Sequence, residues 1–239
     1  MRIINATMPR SGSEFVMKLV RKVLASERPS TDLSVTPGRR LQNNHPEPTD
    51  LKAHMQLGQG VDFFRKHTSF LAKIESPGHD SLCHDIVDLM PEVVWITSMR
   101  NLDDIIVSHA NLETWGWSEE RILLAYRNDV VFYEYAASRR GLFIVNIDAP
   151  NSLDMVILQK HLSVNSLSQE AIDFARGWYV VNPLDNQKKK AGEAIGRKEL
   201  PEDIDTLRDR HPWITEYERR FFRLWEKSQE QLTNQGRAS

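Results

Sequence analysis

Cysteine is almost missing: the 239 residues contain one, Cys83. An internal disulfide and a cysteine-rich zinc site are thereby excluded, and the chain suits a reducing compartment. An excess of charge of one sign is missing too. With 31 Lys and Arg against 33 Asp and Glu, the formal net charge is −2. The whole-molecule field therefore offers no attraction to nucleic acid or to an anionic membrane surface, and any anion site must be local. No apolar stretch approaches the roughly 18 residues of a membrane span. The short run Ile3 to Met8 is cut off by Pro9 and Arg10 too early for a signal peptide. The nucleotide-triphosphatase loop G-x-x-x-x-G-K-S/T does not occur. These absences predict a cytoplasmic protein with no nucleic-acid and no membrane partner.

What is present argues for a packed α/β chain. Six Trp and nine Phe supply bulk for a core. Short apolar runs alternate with helical patterns, the order of a mostly parallel sheet flanked by helices. Strands are expected at Ile3 to Met8, Phe70 to Glu75, Val93 to Ser98 and Leu142 to Ile147. Helices are expected at Ser13 to Leu24, His79 to Met90, from Asn101 onward, Ser118 to Arg139, Asn151 to His161, Ser168 to Val181 and Trp213 to Leu232. Glu27 to Pro48 and Asn182 to Lys198 read as irregular connections, rich in turn formers and polar residues. No composition shift divides the chain, so residues 1–239 are expected to form a single domain.

The stretch Met8-Pro9-Arg10-Ser11-Gly12-Ser13-Glu14-Phe15 lies between the first strand and the first helix. A strand that ends in a tight turn and opens a helix aims several backbone N–H groups at one spot, where the helix dipole adds partial positive charge. Gly12 would let the backbone come close to an anion, Ser11 and Ser13 add hydroxyls, and Arg10 adds a planar cation suited to phosphate or sulfate. The expectation is a P-loop-like anion cradle.

That stretch resembles the 5′-phosphosulfate loop of the sulfotransferases, written P-K-S-G-T-T-W in the cytosolic enzymes. These enzymes move a sulfuryl group from 3′-phosphoadenosine 5′-phosphosulfate (PAPS) to a hydroxyl or amine. A second family motif, R-N-x-x-D-x-x-x-S, is matched at Arg100, Asn101, Asp104 and Ser108. The resemblance implies that Arg100 and Ser108 hold the 3′-phosphate of PAPS, and that Arg10, Ser11, Gly12, Ser13, Glu14 and Phe15 form the 5′ site. A third motif, K-T-H-x-P, is matched in spacing by Lys73, Glu75 and Pro77, with Glu75 where the family has its His base. Glu75 is then implied as the base, with Lys73 and Arg10 stabilising the charge that builds on the transferred group. Lys189 and Lys190, ahead of Gly192, could take the part of the family's C-terminal basic loop over the 3′-phosphate, or form a solvated charge run. Glu14 departs from the family, which has Thr or Ser there. A carboxylate so placed would repel the donor unless it turns away.

PAPS is thus the expected sulfuryl donor and a carbohydrate or small molecule the acceptor, with no metal required. His79, Asp80, His84 and Asp85 have a spacing that could hold a metal, but Asp80 more simply caps a helix. Trp115, Trp117, Tyr133 and Tyr135 could line an acceptor pocket or pack in the core. Two rival readings remain open: a nucleotide-dependent small-molecule kinase, and a sulfotransferase-like binding module without turnover.

Overall fold

Five consecutive residues, Ile3 to Thr7, are buried, as a strand enclosed on both faces requires. They belong to β1 (Arg2–Thr7), the middle strand of a five-stranded sheet. The structure is a computed structural model that describes residues 1–9, 11–24, 32–35, 60–79, 81–110, 118–149, 152–178 and 204–235. Its other strands are β2 (Asp32–Val35), β3 (Phe70–Glu75), β4 (Val93–Met99) and β5 (Phe143–Asn146). Their order is β2-β3-β1-β4-β5, and every pairing is parallel. Between β3 and β4 the chain crosses over β1. Helical connections therefore diverge at the C-terminal end of β1, the kind of crevice in which ligands of open α/β sheets bind.

Side chains alternate across the strands and so define two cores. On one face Ile3, Leu71, Ile96, Phe143 and Val145 pack against α1 (Ser13–Leu24), α6 (Met155–His161) and α7 (Gln169–Trp178). α1 docks through Phe15, Val16, Leu19, Val20 and Val23, a stripe at helical spacing. On the other face Ile4, Ala6, Ala72, Ile74, Trp95 and Ile144 meet α3 (Leu82–Leu89), α5 (Glu119–Arg140) and α9 (Trp213–Gln235). α2 (Gly60–Lys66), α4 (Leu102–Ala110) and α8 (Ile204–Arg210) complete the elements among the described residues. None of these helices is long and apolar enough to cross a membrane.

The four expected strands fall within a residue or two of their places. β2 lies inside the stretch read as an irregular connection: four residues carry little pattern, and its pairing with β3 alone defines it. α2 and α8, of seven residues each, were likewise not expected from the sequence. α3 starts at Leu82 rather than His79 because Ser76 to His79 are held in a turn, with His79 N–H on the Ser76 carbonyl at 3.0 Å. α6 starts after Asp154, whose carboxylate accepts the N–H groups of Val156 and Ile157. At α5 the Ser118 hydroxyl accepts from Arg121 N–H at 3.3 Å. The residues beyond Trp178 expected to continue the seventh helix lie outside the described residues.

Candidate functional site

The face of the sheet that carries α1 changes character along its strands. At one end it is apolar (Ile3, Leu71, Ile96). Two to four residues further along these strands come Asn5, Thr7, Lys73, Glu75 and Ser98, with Asn5 in register with Lys73 and Thr7 with Glu75. A polar floor thus lies under the β1–α1 turn, at the strands' C-terminal ends.

Three hydroxyls knit the turn to this floor. Ser11 Oγ lies 2.9 Å from Thr7 Oγ1 and 2.7 Å from Ser98 Oγ, and the latter two are 3.0 Å apart. Ser11 also donates its hydroxyl to the Met8 carbonyl at 2.7 Å and its N–H to the same oxygen at 3.2 Å. The Ser11 hydroxyl thereby fixes the turn from beneath. Gly12 has φ +99°, and a Cβ there would lie 2.7 Å from Ile147 Cγ1. Only glycine fits this close approach without strain. The Phe15 ring is buried in the core and stacks on Phe174. The first bond within α1 runs from Val16 N–H to the Gly12 carbonyl at 3.2 Å. The N–H groups of Ser13 and Glu14 precede it and have no partner within the helix. Asn5 Nδ2 donates to the Ser13 carbonyl at 3.2 Å, tying the start of α1 to β1.

Beside this turn stand three charged side chains. Lys73 Nζ is 2.9 Å from Glu14 Oε1 and 3.0 Å from Glu75 Oε1. The Lys73 side chain is 16% exposed and that of Glu75 11%, whereas Glu14 is 66% exposed. Burial works against the charge on Lys73, but the two carboxylates outweigh it and hold the ammonium above the ordinary lysine value. Glu14 is likewise pushed up by burial, yet Lys73, with Arg21 and Lys18, brings it below the usual glutamate range.

Directly after Glu75, Ser76 adopts φ +52°, a left-handed conformation uncommon for serine, and its N–H bonds the Thr7 carbonyl at 2.9 Å. The turn that follows is anchored to α5, where Gly78 N–H donates to Asp129 Oδ1 at 2.8 Å. Asp129 is fully buried, and that burial raises its carboxyl well above the usual range despite the Gly78 bond. Its other oxygen has no hydrogen-bond partner among the described residues. A carboxyl raised on folding contributes its stability in full below the unfolded value, near pH 4, and loses it as the pH climbs towards the folded value, at about 1.4 kcal/mol per unit over that window. Asp129→Asn keeps an acceptor for Gly78 and removes the titration. Its urea midpoint is expected to gain on that of the unsubstituted protein as the pH rises above the unfolded value. Parallel midpoints across that range would show that Asp129 does not titrate there.

Arg100 follows β4 and approaches Asp104, Nη2 to Oδ2 3.6 Å, with its side chain 18% exposed. It lines a pocket of about 430 Å³ with Tyr126 of α5 and Arg219, Phe222 and Arg223 of α9. Among the described residues, none that lines that pocket comes from the β1–α1 turn or from β3. Ser108 and His109 are buried on α4. Asn101 N–H donates to the Asp148 carboxylate, which burial raises above its usual value. The structure therefore gathers Glu14, Lys73 and Glu75 beside the turn and places Arg100 in a neighbouring pocket. Arg10, Lys189 and Lys190 lie outside the described residues, as do Asp80, Trp115 and Trp117. Tyr133 is a core residue stacked on Phe221, and Tyr135 donates its hydroxyl to Asp88 at 2.6 Å. His84 packs on the rings of Phe132 and Tyr135. Among the described residues no group of three or more His, Cys, Asp or Glu could hold a metal.

Thr7, Ser98 and Asp129 escaped the sequence reading. Each leaves a signal there: a hydroxyl closing an apolar strand, and a carboxylate on the apolar stripe of α5 between Tyr126 and Tyr133. No protein-family model matches the chain, and no curated protein or solved structure matches it significantly.

Proposed function

We propose that the chain is a sulfotransferase that carries a sulfuryl group from PAPS to a hydroxyl or amine of a carbohydrate or small molecule. The observation that carries this reading is the pairing of half-buried Lys73 with buried Glu75 at the end of β3, 3.0 Å apart and one strand from the β1–α1 turn. A cation and a base held side by side next to an anion cradle are what transfer of a sulfuryl group asks of a protein, together with in-line positioning. The donor fits the residues present. Ser13 and Glu14 offer N–H groups at a helix start, and Lys73 supplies a half-buried cation.

On this reading the β1–α1 strand–turn–helix is a P-loop-like cradle within a single domain. Gly12 lets the backbone reach the 5′-phosphosulfate, and Ser11 holds the turn in shape. Arg10 and Lys73 stabilise charge on the bridging oxygen as its bond to sulfur breaks. Glu75 takes the proton of the acceptor hydroxyl while the acceptor oxygen bonds to sulfur. Arg100 and Ser108 select the 3′-phosphate, and Lys189 and Lys190 take the part of the family's C-terminal basic loop. Bound PAPS supplies the activated sulfuryl group, and no metal takes part. A cytoplasmic setting suits the lone cysteine, which is buried and forms no disulfide.

Thermal melting with ligands tests the proposal. At about a hundred times its Kd, the 3′,5′-bisphosphate product of PAPS should add about 2.7 kcal/mol. For a chain of this size that raises Tm by roughly 5–10 °C. Adenosine 5′-monophosphate, which lacks the 3′-phosphate, should raise it far less. Stabilisation by ATP with Mg²⁺ in preference to the bisphosphate would favour a kinase. Stabilisation by the bisphosphate without turnover on any acceptor would favour a binding module.

A further inference from the structure

We propose that Glu14 is a charge filter, admitting a singly charged sulfuryl group beside Lys73 and turning away a doubly charged phosphoryl group of the same shape. This holds only if the site takes PAPS as proposed above.

Lys73 Nζ stands between Glu14 Oε1 at 2.9 Å and Glu75 Oε1 at 3.0 Å, so the three groups together carry one net negative charge. Any ligand group that reaches Lys73 arrives next to Glu14, on the first turn of α1 and beside the cradle. A terminal sulfonate and a terminal phosphate both present three oxygens on a tetrahedral centre. They differ in charge, about −1 for the sulfonate against −1.5 to −2 for the phosphate at neutral pH. Repulsion by a fixed carboxylate grows in proportion to the ligand's charge. Lys73 cannot offset the excess, because its charge already serves two carboxylates. Lys18 and Arg21 flank Glu14 on α1 and reduce its field. The 66% exposure of Glu14 adds solvent screening, so the discrimination is of the order of tenfold. A Ser or Thr at this position has no charge with which to discriminate.

The test measures dissociation constants of PAPS and of 3′-phosphoadenosine 5′-diphosphate, which differ in one atom, sulfur or phosphorus. Titrations use the full chain, without acceptor or Mg²⁺. The unsubstituted protein should prefer PAPS. Glu14→Gln keeps an oxygen that can accept from Lys73 and should narrow that preference by about tenfold, mainly through tighter binding of the diphosphate. A merely structural Glu14 would alter both affinities alike and leave their ratio unchanged. Binding of PAPS with the same ratio in both proteins, or no preference in the unsubstituted one, overturns the filter and leaves the PAPS site standing. Binding of neither ligand by the unsubstituted protein overturns both. If the Gln variant does not fold, Glu14→Thr carries the same comparison.

Discussion

Glu75→Gln is expected to bind the 3′,5′-bisphosphate product of PAPS as before and to lose about 10²-fold or more of its sulfuryl-transfer rate, some 2.7 kcal/mol of barrier. The amide has the volume of the carboxylate and keeps an oxygen for Lys73, but it cannot take a proton from the acceptor. Lys73 retains Glu14 at 2.9 Å, so its ammonium is not left buried and unpaired. That residual pairing keeps the cost to folding near 1 kcal/mol rather than the 3–5 of a buried ion pair broken outright. Single-turnover rates with saturating donor, read beside a melting curve of the same sample, separate lost chemistry from lost structure. Undiminished turnover would move the base elsewhere, with the exposed His79 or the buried His109 next to be replaced.

Gly78→Ala should destabilise the fold by about 3–5 kcal/mol and lower Tm by roughly 10 °C. An added Cβ would lie 2.2 Å from the Asn128 carbonyl oxygen, 2.3 Å from its carbon and 2.8 Å from Asp129 N. These are backbone atoms in the middle of α5, held by the helix's own hydrogen bonds, and they cannot step aside as a side chain can. Relief requires the Ser76–His79 turn to lift off the helix. Lifting would break the 2.8 Å bond from Gly78 N–H and leave the buried Asp129 carboxyl without its donor. Glu75, immediately before this turn, would lose its fixed place beside Lys73. Gly177→Ala is the control. Its Cβ would meet nothing within 4 Å, and inside α7 the exchange should be neutral or stabilise by up to about 1 kcal/mol. Equal melting temperatures for the two variants would show that the turn does not rest on α5.

Much of the scaffold was legible because strong local patterns survive burial. Phe70 to Glu75 reads as a strand and is one with the same limits. The apolar stripe of Ser13 to Leu24 reads as a helix and forms one over the same residues. Short elements were not legible. β2 is recognisable only through its partner β3, and α3 begins late because a turn bound to a distant helix competes with its first residues. Within the site, the motif spacing picked out Lys73 and Glu75 but could not give the aim of their neighbours. The Ser11 hydroxyl turned inward to Thr7 and Ser98, residues 4 and 87 positions away along the chain. Glu14, which spacing marked as a misfit beside a phosphate, turned to Lys73, 59 positions along.

By itself the sequence determined the class of fold and the places where chemistry could gather. Periodicity records which faces are apolar, and glycine and serine at a strand's end record where the backbone must turn. The tertiary structure alone decided which charges meet. Parallel pairing set Asn5 against Lys73 and Thr7 against Glu75, which brought the end of β3 under the start of α1. The physical reason is range: backbone preference acts over a few residues, whereas an ion pair needs a few ångströms between atoms that only the folded sheet brings together.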